Sequence, residues 1–260
     1  MSYEKSAHYY DLFDQKENIE FFYRCASGAE EVLDIGAGTG RIAIPLAQRG
    51  LKLCCVEPSP AMRREFRKKL AKHPELLNKI QIVANNAARF KLPRSFSVAY
   101  LSGTFDHFVD EDQRKSSLEN ISRHLEQGGK LVFDVFLGLM RDSQLSPAGM
   151  VSVGNRVVRR LVGAQVLPTR QQMFVEIVYE IYKNEQLIER IEEKSLVGII
   201  DRNRLNRILD ETGFEIRNEW GGYDFKPYVD GDSLLLIEAV MKALREVDRS
   251  KSMWQSFSYI

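Results

Sequence analysis

A chain of 260 residues is long enough for one large core, or a core with a modest appendage, and too short for several independent domains. Lys and Arg number 37 against 36 Asp and Glu, a formal net charge of +1, which excludes a whole-chain field pulling the protein toward nucleic acid or an anionic membrane and favours a small or locally recognised partner. The three cysteines, Cys25 and the adjacent Cys54 and Cys55, have neither the number nor the spacing of a disulfide framework or a zinc site, so no metal is expected.

Taken in chain order, the sequence opens with Tyr3, Tyr9, Tyr10, Phe13, Phe21, Phe22 and Tyr23, more aromatics than a leader requires. No basic start with an apolar stretch and no run of about 20 apolar residues follows, so the expected location is cytoplasmic, off the membrane. Strand-length apolar runs are predicted at Glu31 to Ile35, Lys52 to Glu57, Ile80 to Ala84, Ser97 to Leu101 and Lys130 to Phe136. Helical patterns lie between them at Arg41 to Gln48, Ala61 to Lys72 and Asp112 to Leu125, the last closed by Gly128-Gly129. That alternation predicts an α/β fold with a parallel sheet covered on both faces.

The pattern changes after Phe136. Gly138 to Gly149 reads as loop, and Arg156 to Val197 alternates apolar and polar residues as antiparallel strands do. Met173, Val175, Ile177, Tyr179 and Ile181 share one face, and Lys183 to Gln186 supplies a turn. Two or three strands are predicted here. Asp201 then caps a helix that Gly213 stops, Phe214 to Trp220 and Ser233 to Val240 make two final strands, and Lys242 to Arg249 a short helix. The organisation predicted is residues 1–137 as an α/β core with an N-terminal lid, 138–200 as an inserted antiparallel cover, and 201–260 completing the core.

A strand ending in Asp34 and followed by Gly36, Gly38 and Gly40 lets the backbone turn sharply and approach a ligand closely. A dinucleotide fingerprint would need glycine where Arg41 stands, and a phosphate-binding loop would need Gly-Lys-Ser/Thr; neither is present. Glu57 closes the next strand 17 residues after Gly40, where a carboxylate can accept both hydroxyls of a ribose.

The order acidic-x-Gly-x-Gly-x-Gly resembles motif I of the class I S-adenosylmethionine-dependent methyltransferases, of the small-molecule type with an inserted antiparallel substrate cover. That resemblance implies a Rossmann-like seven-stranded, mostly parallel sheet with helices on both faces and S-adenosylmethionine as cofactor. Its binding residues would be Asp34, Gly36, Ala37, Gly38 and Gly40 around the methionine portion, with Glu57, Pro58 and Met62 at the ribose and adenine. Asn86 and Ala87 would stand where the family often has Gly-Asp-Ala against the adenine. Leu101 and Ser102 would form the end of the fourth strand, and Tyr10 would belong to the lid with Tyr9 and Asp11.

His107 is the candidate proton acceptor, since an ordinary imidazole titrates near ~6.5. Phe105, Tyr179 and Tyr223 are candidates for the acceptor site. The fourth strand lacks the Asn/Asp-Pro-Pro-Tyr/Phe run of enzymes that methylate DNA bases or glutamine. Methyl transfer to a small-molecule nitrogen, or next an oxygen, is therefore expected. The alternatives are an RNA or protein methyltransferase and a non-catalytic cofactor-binding regulator. The cluster Arg63, Arg64, Arg67, Lys68, Lys69 and Lys72 reads as a solvated helix face, which argues against a nucleic-acid partner. A monomer, or a homodimer through the β insertion, is expected.

Overall fold

The computed structural model describes residues 3–13, 17–137, 141–168 and 171–242. After α1 (Glu17–Cys25) come β1 (Glu31–Ile35), α2 (Ala43–Gln48), β2 (Lys52–Val56), α3 (Pro60–Leu70), β3 (Ile80–Val83), β4 (Phe96–Leu101), α4 (Glu111–Ser122) and β5 (Leu125–Phe136). The insertion holds β6 (Ser143–Val153), β7 (Arg156–Leu167), β8 (Gln172–Lys183) and β9 (Gln186–Gly198). α5 (Arg202–Glu211), β10 (Phe214–Trp220) and β11 (Leu234–Met241) complete the described residues. The expected helix from Lys242 to Arg249 lies, beyond Lys242, outside the described residues.

Seven strands form one sheet in the order β10-β11-β5-β4-β1-β2-β3, parallel from β5 to β3, with β11 antiparallel to both of its neighbours. β1 and β2 are almost wholly apolar because both of their faces are covered. Val32, Leu53 and Cys55 pack with α1, α2 and α3 on one side, and Leu33, Ile35, Cys54 and Val56 with α4 and α5 on the other. Full burial of a leucine- or valine-sized side chain contributes roughly 1.5–3 kcal/mol, so these two layers hold the strand ends in register. Capping fixes where the helices begin. Ser59 Oγ accepts the Met62 N–H at 3.3 Å with Pro60 in the first turn, and Asp201 Oδ1 accepts the Arg204 N–H at 2.9 Å.

Two expectations fail here. α4 stops at Ser122, and Gly128-Gly129 lies inside β5 rather than after the helix. Leu125, 7% exposed, already pairs with Phe96, and the next pair is Val98 with Lys130. Ser97 alone thus opposes the four residues from Glu126 to Gly129, and the glycines serve that bulge.

The insertion has four strands, ordered β6-β7-β8-β9, not two or three. β6 occupies residues expected to be loop. As an edge strand exposed on both faces, broken in register at Pro147/Gly149, it carries no apolar alternation to betray it.

Candidate active site

The parallel strands end at a cleft of about 840 Å3, within the roughly 300–1,000 Å3 of small-molecule sites. It lies where the strand order reverses between β1 and β4, the place at which open α/β sheets bind ligands. The turn after β1 makes its floor. Gly36 and Gly38 sit at φ of 75° and 56°, a region costly for any residue with a side chain. A Cβ at Gly36 would collide with the Thr104 side chain, whereas one at Gly38 would meet only Gly36 O, at 3.9 Å, and would project into the cleft. The loop is therefore bare where a ligand would lie on it.

Two carboxylates flank that loop. Asp34, 3% exposed, accepts a hydrogen bond from the Tyr100 hydroxyl at 3.0 Å, and burial lifts its pKa to about 7 against the pull of that bond. Glu57, 6% exposed, accepts the N–H of Gly38 at 2.9 Å on one oxygen and that of Ser59 at 2.7 Å on the other. Burial raises its pKa while the two N–H groups oppose the rise. A carboxylate has about four acceptor positions, so each oxygen keeps one for a ligand hydroxyl.

The remaining expected residues divide cleanly. Tyr10, Ala37, Pro58, Met62, Asn86, Ala87, Ser102 and His107 all line the cleft. Gly40 and Leu101 do not: Gly40 leaves room for the Phe66 ring behind the loop, and Leu101 is fully buried in the core. Asn86 Oδ1 accepts the Ala88 N–H at 3.1 Å and so also closes the turn after β3.

Of the acceptor candidates, none lines the cleft. Phe105 is fully buried, its ring stacked on Phe133 at 4.8 Å. Tyr179 stacks on Tyr9 at 5.7 Å, and the Tyr223 hydroxyl donates to Asp134 Oδ2 at 2.7 Å. His107 faces the cleft, but burial lowers its pKa to about 4, and its Nδ1 is buried without a partner. At neutral pH it is an uncharged imidazole and a weak base, not the mid-range titrating group expected.

The N-terminal segment roofs the cleft with Tyr3 and Tyr10. Asp11 Oδ1 accepts the Thr39 hydroxyl at 2.6 Å, and Lys69 reaches both, pairing with Asp11 and donating to Thr39 Oγ1 at 2.8 Å. On its outer side the segment meets the inserted sheet, where Ser6 Oγ donates to Glu193 at 2.8 Å and Arg160 lies over the Phe13 ring at 4.8 Å. No described residue of β6 to β9 reaches the cleft wall, because this segment stands between them.

Sequence reasoning passed over Arg41, Thr104, Gln113 and Ser116, which also line the cleft, and Asp134 behind it. Only Asp134 had left a signal, as the one charge in the apolar run Leu131 to Phe136. Among the described residues, no group of three His, Cys, Asp or Glu is placed to hold a metal, and no helix is long and apolar enough to cross a membrane.

Residues 32–129 match the sequence profile of a methyltransferase domain. Over 142 residues the chain is 29% identical to an uncharacterized methyltransferase of Bacillus thuringiensis, a match covering 50% of this chain and 64% of the relative. It thus spans less than two thirds of that relative's length. An S-adenosylmethionine-dependent methyltransferase from Clostridium acetobutylicum superposes with a TM-score of 0.75 at 18% identity, over 93% of this chain and 99% of the other. The methyltransferase CcbJ from Streptomyces caelestis gives 0.77 at 20%, over 92% and 97%. The sugar N-methyltransferase KedS8 from a Streptoalloteichus species gives 0.71 at 21%, over 90% and 93%. Residues 32–129 thus carry the sequence pattern of a methyltransferase domain, within a fold shared over 93% of the chain with a solved S-adenosylmethionine-dependent methyltransferase.

Proposed function

We propose that this protein transfers the methyl group of S-adenosylmethionine to an amine nitrogen of a small, polar acceptor, with a hydroxyl oxygen as the next choice. One observation carries the reading: a single cleft joins the bare backbone at Gly38, the carboxylate of Glu57 and the end of β4, beneath two tyrosines. Those features fit the cofactor. Gly38 leaves open the space a side chain would fill, and Glu57 has one free acceptor position on each oxygen. Gly36 to Gly38 and Asp34 would hold the methionine portion, Glu57 the ribose, and Met62, Asn86 and Ala87 the adenine.

When bound, S-adenosylmethionine supplies a methyl group on a positively charged sulfur, ready for in-line displacement by a lone pair. The chain's part is alignment and exclusion of water, worth several kcal/mol without a covalent intermediate. Tyr3 and Tyr10 close the roof, and an aromatic face beside a cation is worth about 0.5–2 kcal/mol. His107, an uncharged imidazole lining the cleft, is the residue placed to orient the acceptor amine so that its lone pair faces the methyl. With its low basicity it orients the nucleophile; the proton leaves to water after transfer.

Support for nitrogen and for a sugar-like acceptor comes from neighbours of like fold, namely KedS8, an amino pentose methyltransferase from Micromonospora and a glycopeptide N-methyltransferase. Hydroxyl, amide and imidazole groups from Thr104, His107, Gln113 and Ser116 in the cleft suit such a molecule.

Calorimetry with S-adenosylhomocysteine tests the cofactor, and mass spectrometry over a panel of amino sugars, small amines and alcohols tests transfer. Glu57→Ala and Gly38→Val should each weaken binding about tenfold or more, the first by deleting charge-assisted bonds and the second by filling the floor. Unchanged titrations for both variants would reject the site, and tight binding with no methylated product across the panel would reject the activity.

A further inference from the structure

Asp134 lies on β5, is 5% exposed and takes no part in the cleft wall, yet three donors converge on it. The Gly103 N–H donates to Oδ1 at 2.6 Å, the Tyr223 hydroxyl to Oδ2 at 2.7 Å, and the Ser102 hydroxyl to Oδ2 at 3.4 Å. An ionised carboxylate is the side chain that receives three donors without offering a proton of its own. Burial pushes its pKa up, and these same bonds resist the rise. Around it Leu131, Val132, Phe133 and Val135 are at most 1% exposed. A charge there is costly unless fully satisfied, and an apolar residue would pack as well.

What distinguishes the carboxylate is where its bonds lead. Ser102 Oγ accepts from Asn18 Nδ2 at 3.2 Å, and Asn18 Oδ1 accepts from Arg41 Nη1 at 2.8 Å. The Thr104 hydroxyl donates to Ser102 O at 3.1 Å, and its side chain fills the space above Gly36. A line of polar contacts therefore runs from the loop after β10, beneath the turn that ends β4, to the residue following the glycine loop. Glu57 and Asn86 stand on the other side of β1. From β2 to β5 there are three strand spacings, about 14 Å in all, so Asp134 has no direct reach to that end.

We infer that Asp134 is a positioning residue: it fixes the Ser102-Gly103-Thr104 turn and so shapes the half of the cleft that takes the methionine portion of the cofactor, leaving the adenosine half to Glu57 and Asn86. This rests on the cofactor proposed above. In Asp134→Asn the charge on which the three donors converge is lost, and one side-chain oxygen becomes an N–H donor, from which the Tyr223 hydroxyl can accept only by turning its own proton away. Tyr223→Phe removes one donor and leaves the other two.

The test compares two probes, S-adenosylhomocysteine and adenosine, by calorimetry on the full chain. Asp134→Asn should weaken S-adenosylhomocysteine about tenfold or more, as expected for loss of charge-assisted bonds that hold the turn, while adenosine binds as in wild type. Tyr223→Phe should act in the same direction by about threefold. Adenosine serves as the control that a general loss of structure would fail. Wild-type affinity for S-adenosylhomocysteine in both variants, or an equal loss for both probes in Tyr223→Phe, overturns the inference. A wild-type chain that binds neither probe overturns the cofactor reading itself, and the inference with it.

Discussion

Asp106 and His107 are neighbours whose charges respond to pH in opposite directions. Burial, with Asp134 nearby, raises the Asp106 carboxyl to about 7, and one of its oxygens has no partner. The folded chain holds that proton from about pH 4 to about 7 where the unfolded chain has lost it, so this group's contribution to stability falls as pH rises through that window. Asp106→Asn cannot ionise; its thermal unfolding temperature should exceed wild type at pH 8 and equal it at pH 4. His107, held down to about 4 by burial, works the other way. Between about pH 6.5 and 4 the unfolded chain takes up a proton that the folded site refuses, so stability falls as pH falls, and His107→Gln should flatten that limb in melts across the range. The sequence displayed His107 as a polar residue at a strand end, but its basicity depends on what covers it, and that cover comes from distant segments. Asp34, Gly38 and Glu57 were readable because one local turn and one strand end suffice to place them. Phe105 and Tyr179 went wrong because an aromatic ring beside a cleft has the same composition as one packed beneath it.

The segment from Tyr3 to Phe13 is held on two sides, by Asp11 with Thr39 and Lys69 inside and by Tyr9 and Phe13 against Tyr179 outside. Stacked aromatic pairs are worth about 0.5–1.5 kcal/mol beyond their buried area, so the outer grip is a substantial part of what keeps the roof down. Tyr179→Ala should speed proteolytic cleavage within residues 3–13 and raise the dissociation rate of S-adenosylhomocysteine in stopped flow by about fivefold or more; unaltered cleavage and release would show that the inner grip alone holds it. The seven core strands were legible because apolar runs separated by amphipathic helices leave few topologies open. β6 was not, since an exposed edge strand needs only backbone partners and leaves its side chains unconstrained. α4 was overextended because glycine after a helical pattern has the same appearance whether it ends the helix or serves a bulge.

Charge over the whole chain is nearly balanced, and much of the basic face of α3 is spent on ion pairs: Arg64 with Glu4, Lys68 with Glu65 and Lys69 with Asp11. Bulk RNA in filter binding should therefore show no affinity tighter than the non-specific range of about 10⁻⁴–10⁻⁶ M at physiological salt; a tighter, steeply salt-dependent complex would revive a macromolecular acceptor. The inserted sheet also has an even number of antiparallel strands, with Ser143 paired to Ala164, Leu167 to Gln172 and Gln172 to Gly198. Chain thus leaves the core and returns to it at one end of that sheet. Such a module can grow or shrink by whole hairpins at its far tips without disturbing the junctions on the core. Since those far tips lie away from the base, where Gln172 and Gly198 meet the Phe108-Val109 segment of the cleft wall, turnover in their sequence would act through the aromatic strap and retune how readily the chamber opens, while the glycine-loop floor stays as it was.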